Sequence, residues 1–93
     1  MRIGVCTIEL RLHGCSSLKE KRRILKSIKD RVRRRFNASI AEIDFQDKWQ
    51  VAVIGLATVS NNEHHASRTI ESLIKAVEGM GLAEIIDTEI GFY

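Results

Sequence analysis

The stretch ASIAEIDFQDKWQVAVIGLATV, residues 38–59, decides the fold. From Ala38 to Phe45, the residues Ala41, Ile43 and Phe45 alternate with Ile40, Glu42 and Asp44, the period-two pattern of a strand. Gln46-Asp47-Lys48 is a short polar connection, and Trp49 to Val59 is a β-rich run, so the two segments form a hairpin. The near-continuous hydrophobicity of the second run fits a central strand. It is covered on both faces, or covered on one and packed against a partner on the other.

Helices flank this hairpin on both sides. Upstream, Ser17-Leu18-Lys19-Glu20 is a capping box: the hydroxyl can accept the N–H of Glu20 while the glutamate reaches back to the N–H of Ser17. Leu18, Leu25, Ile28, Val32 and Phe36 follow at helical spacing, with Ile24 widening the stripe, and Asn37 tolerates the left-handed conformation that ends helices. Downstream, Ser60-Asn61-Asn62-Glu63 reads as a second capping box. Ala66, Ile70, Leu73, Ile74 and Val77 form its apolar stripe, and Gly79-Met80-Gly81 ends it.

Beyond the helices lie two more alternating runs. In Arg2–Leu12, Cys6, Ile8, Leu10 and Leu12 oppose Thr7, Glu9 and Arg11. In Glu84–Tyr93, Ile86, Thr88, Ile90 and Phe92 oppose Ile85, Asp87, Glu89, Gly91 and Tyr93. The order is β-α-β-β-α-β. Right-handed crossovers then place both helices on one side of the sheet. The expectation is one α+β domain over residues 1–93, ferredoxin-like, with a four-stranded antiparallel sheet whose first and third strands are central. Its second face is bare, with Val51, Val53, Val59 and Ile3 or Val5 projecting from it. An uncovered apolar face on a small protein usually meets another chain, so a homodimer through the sheet is expected.

Charge is distributed unevenly. The 93 residues carry a formal charge of +3. Between Lys19 and Arg35 there are ten bases against Glu20 and Asp30, a window of +8, and the rest of the chain has five bases against ten acids, or −5. A segment so polarised presents an oriented electrostatic surface. Phosphate backbones are recognised by clustered Lys and Arg, whose binding releases condensed counterions, and arginine adds forked hydrogen bonds to phosphate oxygens. Lys19, Lys21, Arg22, Arg23, Lys26, Arg31, Arg33, Arg34 and Arg35 are therefore the candidate nucleic-acid-binding residues. Surface helices ordinarily mix charge signs for i,i+4 pairing, and two acids are too few for ten bases.

Other chemistries find little support. No Cys/His spacing resembles a zinc site, and adjacent His64 and His65 point about 100° apart on a helix, so no metal is expected. The chain has no phosphate-binding or dinucleotide glycine pattern, so no cofactor is expected. Cys15 and His13 are two apart in a loop without a third group, which argues against a nucleophile and base, and Cys6 falls on the core face. Cys15 lies near a helix start, where thiolate character is raised. The loop from His13 to Ser17 could hold an anion, but capping by Ser17 is the simpler use of its N–H groups. The exposed pairs Glu42/Asp44 and Asp87/Glu89 read as solvation or edge protection. Base stacking on the sheet needs aromatics on the central strands, and those carry only Trp49, at the start of the third. Trp49 and Tyr93 could instead anchor an interface, and Trp49 could equally pack in the core. With no signal-like or membrane-spanning apolar run, a cytoplasmic location and reduced cysteines are expected.

Ser17-Leu18-Lys19-Glu20-Lys21-Arg22-Arg23, then Asp30-Arg31, Phe36-Asn37 through Ala41-Glu42, and Trp49-Gln50 leading to Ile54-Gly55 together resemble the YlxP-like family of small bacterial proteins. The resemblance spans nearly the whole chain and implies a ferredoxin-like fold. The family has no assigned function and no known catalytic residues. Its genes often lie beside those of translation initiation and ribosome maturation factors, which implies a link to ribosomes or RNA. The expected function is thus a non-catalytic accessory protein that contacts RNA or the ribosome through its basic helix. The alternative is a homodimeric protein-interaction or small-ligand regulatory module whose basic helix meets an acidic protein surface.

Overall fold

A computed structural model describes residues 1–93, ordered β1 (Arg2–Arg11), α1 (Leu18–Arg35), β2 (Ser39–Asp44), β3 (Val51–Ser60), α2 (Glu63–Gly79) and β4 (Glu84–Phe92). The four strands form one antiparallel sheet in the order β2-β3-β1-β4, so β1 and β3 are central, as the pattern predicts. Both helices cover one face. The core between the layers is built from Cys6, Ile8 and Leu10 of β1, Ala52, Ile54 and Leu56 of β3, Leu25, Ile28 and Val32 of α1, and Ile70, Leu73 and Val77 of α2. Each fully buried Leu or Ile contributes about 1.5–3 kcal/mol relative to its exposed state. Gly4 lets β1 run close beneath α2: a Cβ there would stand 2.8 Å from Ile70 Cδ1 and 3.3 Å from Ala66 Cβ.

Helix α1 starts as its sequence predicts, with Ser17 Oγ accepting the Glu20 N–H at 3.1 Å. The return half of the box is displaced by one residue, since the Glu20 carboxylate takes the N–H and hydroxyl of Ser16, each at 3.2 Å. The second helix departs from expectation. Its N-cap is Asn62, whose Oδ1 accepts the His65 N–H at 2.8 Å, two residues beyond the predicted Ser60. Ser60 instead accepts the N–H of Asn62.

Two bulges break the simple alternation. Along β2, Glu42 pairs with Ile54 but Asp44 pairs with Val53, so Ile43 is the extra residue and lies over Gly55 on the open face. Along β4, Leu10 pairs with Ile85 and Glu9 with Asp87, which makes Ile86 the extra residue. Ile85 therefore packs against the core and Ile86 is exposed, the reverse of the parity read from the sequence. A bulge inserts one residue and flips the faces beyond it.

The face away from the helices carries Ile3, Val5, Thr7 and Glu9 of β1 opposite Val59, Ala57, Gly55 and Val53 of β3. Both Ile3 and Val5 project there. Toward β4 the face turns acidic, with Glu9 directly opposite Asp87 and Thr7 opposite Glu89.

Candidate nucleic-acid interface

In α1 the buried stripe is Lys21, Leu25, Ile28 and Val32. At about 100° per residue, Lys19, Arg23, Lys26 and Arg34 fall on the opposite side of the helix. Arg22, Lys29 and Arg33 lie on the flank above β2, where Arg33 Nη2 donates to the Ile40 carbonyl at 3.0 Å. Arg31 and Arg35 lie on the flank turned toward α2, where Arg35 sits 5.4 Å from the centroid of the Phe36 ring. Of the nine candidate cations, Lys19, Arg22, Arg23, Lys26, Arg31, Arg33, Arg34 and Arg35 are exposed.

Lys21 is not. Its side chain is 1% exposed, its Nζ donates to the Phe45 carbonyl at 2.6 Å, and it lies 2.8 Å from Glu42 Oε2. The approach to Glu42 is off the line of a hydrogen bond, so the attraction there is chiefly that of two opposite charges. Lys21 cannot touch a phosphate, and Glu42 is its counter-ion rather than a solvating edge acid. The sequence carried a signal for this. Lys21 stands four, seven and eleven residues before Leu25, Ile28 and Val32, on the apolar stripe itself. Phe45, the acceptor, is held at φ 60°, its N–H bonded to Asp44 Oδ1 and its carbonyl also taken by the Lys48 N–H. A non-glycine residue in this region is uncommon, and here the surrounding bonds hold it.

Few acids offset the remaining cations. Asp30 accepts Lys26 Nζ at 2.9 Å and lies 4.0 Å from Arg33 Nη1. The hydrogen bond from Lys26, with Arg34 and Arg33 close by, holds the Asp30 carboxyl below the usual carboxylate range. No carboxylate lies within 4.0 Å of Lys19, Arg22, Arg23, Arg31, Arg34 or Arg35. The basic face is thus largely unneutralised by its own chain.

The remaining polar groups are engaged elsewhere. His13 Nε2 lies 2.7 Å from Glu84 Oε1 on β4, and the buried Cys15 Sγ donates to the Ser17 carbonyl at 3.4 Å, so the two side chains do not meet. Cys15 is 1% exposed, so its thiol is not presented to solvent in this fold. Burial pushes the Cys6 thiol up. Glu20 occupies the donors at the start of α1 that an anion would need. Trp49 is 50% exposed and lies outside β3 rather than in the core. No group of three His, Cys, Asp or Glu residues is placed to hold a metal ion, and no helix is long and apolar enough to cross a membrane.

Similarity searches agree with this architecture. A solved structure described as structural genomics protein YJCS superposes with a TM-score of 0.61 over 96% of each chain at 11% identity. A de novo designed protein, Foldit4, superposes with a TM-score of 0.55 over 100% of this chain and 97% of its own at 14% identity. At such identities the likeness shows the fold alone. An uncharacterized protein, YlxP, from Bacillus subtilis (strain 168) is 37% identical over 76 residues, covering 82% of this chain and 83% of that one. A family model described as a protein of unknown function, DUF503, matches residues 3–90. With nearly the whole chain matched, the protein belongs to the DUF503 family, whose function is unassigned.

Proposed function

We propose that this protein is a non-catalytic accessory factor that binds structured RNA, ribosomal RNA in particular, through the exposed face of α1. The observation that carries the reading is the set of eight exposed cations between Lys19 and Arg35, of which only Lys26 and Arg33 have a carboxylate, that of Asp30, within 4.0 Å. The helix is 18 residues long, about 27 Å at 1.5 Å per residue, enough to follow several phosphates of one backbone. Contacts of this kind position a protein on RNA and carry little base specificity. The ribosomal neighbourhood implied by the family resemblance accords with this reading.

Co-sedimentation tests it. The protein should pellet with ribosomal subunits at low salt and be released at high salt, because counterion release weakens phosphate binding as salt rises. Failure to pellet at low salt would overturn the proposal.

A second reading rests on the open sheet face. Val5, Val53, Ala57, Val59 and Ile43 form an apolar strip on the β2–β3 side that neither helix covers. We infer that a second copy covers it, since both helices are committed to the other face. The like-charged row of Glu9, Asp87 and Glu89 confines the overlap to the apolar half.

A further inference from the structure

Arg31 and Arg35 do not belong to the outer row of α1. They stand with Lys75 of α2 around a cleft of about 460 Å³ between the C-terminal halves of the two helices, with Phe36 in its wall. A second hollow of about 340 Å³ lies along α2, bordered by Phe36, Arg68 and His65. Phe36 lines both hollows, so the two adjoin at that ring along the groove between α1 and α2. Ala76 and Gly79 give α2 little bulk there, which leaves the cleft open. No carboxylate lines either hollow. Glu71 and Glu78 stand one turn to either side of Lys75, yet neither lies within 4.0 Å of it.

Cations near helix C-termini can serve merely to offset the helix dipoles. Each dipole end carries roughly half a negative charge, so two ends account for about one cation. Arg31, Arg35 and Lys75 exceed that. Phe36 packs in part against the core, but core packing gives no reason for the cations gathered around its ring.

We propose that this groove takes an unpaired nucleotide segment of RNA, with a base stacked on the Phe36–Arg35 pair and flanking phosphates held by Arg31, Lys75 and Arg68. A basic groove tracking a backbone, with an aromatic platform for a base, is the general means by which proteins hold single-stranded nucleic acid. Arginine planes serve as stacking surfaces alongside aromatic rings. The proposal rests on the RNA reading above and adds to it a preference for unpaired over fully duplex RNA.

The test uses the whole protein and two RNA probes, a duplex and the same duplex carrying a bulge with 2-aminopurine at an unpaired position. The bulged probe should bind about tenfold more tightly, with its fluorescence quenched by stacking. Phe36→Leu should erase both the preference and the quenching, while Phe36→Tyr should keep them. Because Phe36 also borders the core, the surface pair Arg31→Ala/Lys75→Ala provides a second variant and should erase the preference with folding unaffected. If both probes bind equally and neither variant changes this, the groove proposal is overturned while backbone binding by α1 stands. If neither RNA binds, both fall. Tighter binding of a polyglutamate peptide than of either RNA would also overturn it.

Discussion

At the scale of single residues, the informative side chain is Lys21. An ammonium taken out of water is tolerated only where its charge is met, and here Glu42 and the Phe45 carbonyl meet it. The contact joins α1 to β2 and to the loop after it, so its loss should register in stability rather than in RNA binding. Glu42→Ala leaves the buried charge without its counter-ion and should cost about 3 kcal/mol in denaturant unfolding, at the low end for a broken buried pair because Glu42 keeps some contact with water. The double change Lys21→Met/Glu42→Leu removes both charges with similar volume and should recover most of that loss. A Glu42→Ala protein within 0.5 kcal/mol of the parent would contradict the assignment. The buried lysine also shows how a residue count misleads. Ten bases in a helical window read as one surface, but the 3.6-residue period gives them different neighbours, and one faces the core.

Among the elements, the helices were legible because their apolar stripes and polar caps act locally. Ser17 was decisive for α1, since its hydroxyl accepts the N–H three residues on and so fixes the first turn. The start of α2 was placed two residues early, at Ser60, because Ser60, Asn61 and Asn62 are all competent caps and only the exit direction of β3 chooses among them. Asn62→Ala should cost about 1 kcal/mol, and Ser60→Ala much less. Equal effects in thermal unfolding would contradict the cap placement. Within α1, Lys26 and Asp30 bind through their charged forms. The lowered carboxyl makes this contribution fully present above the usual aspartate range, and it fades as pH falls through the folded-state value of Asp30. The strand faces were legible up to the bulges. Beyond Ile43 and Ile86 the parity fails, because one inserted residue is set by pairing with a distant strand and leaves no local pattern. The groove around Phe36 was hidden for the same reason. Phe36 stands 32 residues before Arg68 and 39 before Lys75, and only helix packing brings it to them.

For the whole molecule, charge and apolar surface are sorted onto opposite sides. The helix layer is basic, and the sheet face is apolar toward β2 and acidic toward β4. Under the two readings proposed above, the copy of the chain and the RNA would then occupy opposite sides and not obstruct one another. Val5→Asp places a charge within the apolar strip, opposite Ala57, on a side chain the core does not use. It should leave folding intact and shift sedimentation from dimer to monomer. If the parent protein is already monomeric at the highest attainable concentration, the dimer inference fails, and the RNA reading is untouched.

The central claim concerns the unneutralised cations of α1, and the slope of log Kd against log salt for a structured RNA measures them directly. Five or six phosphate contacts on a duplex region predict a slope of about five in magnitude, and Lys19→Glu/Arg22→Glu/Arg23→Glu should weaken binding and reduce it to about two. All three side chains are exposed and take no part in the core, so this variant should fold as the parent does. An unchanged affinity and an unchanged slope in the folded triple variant would contradict the account.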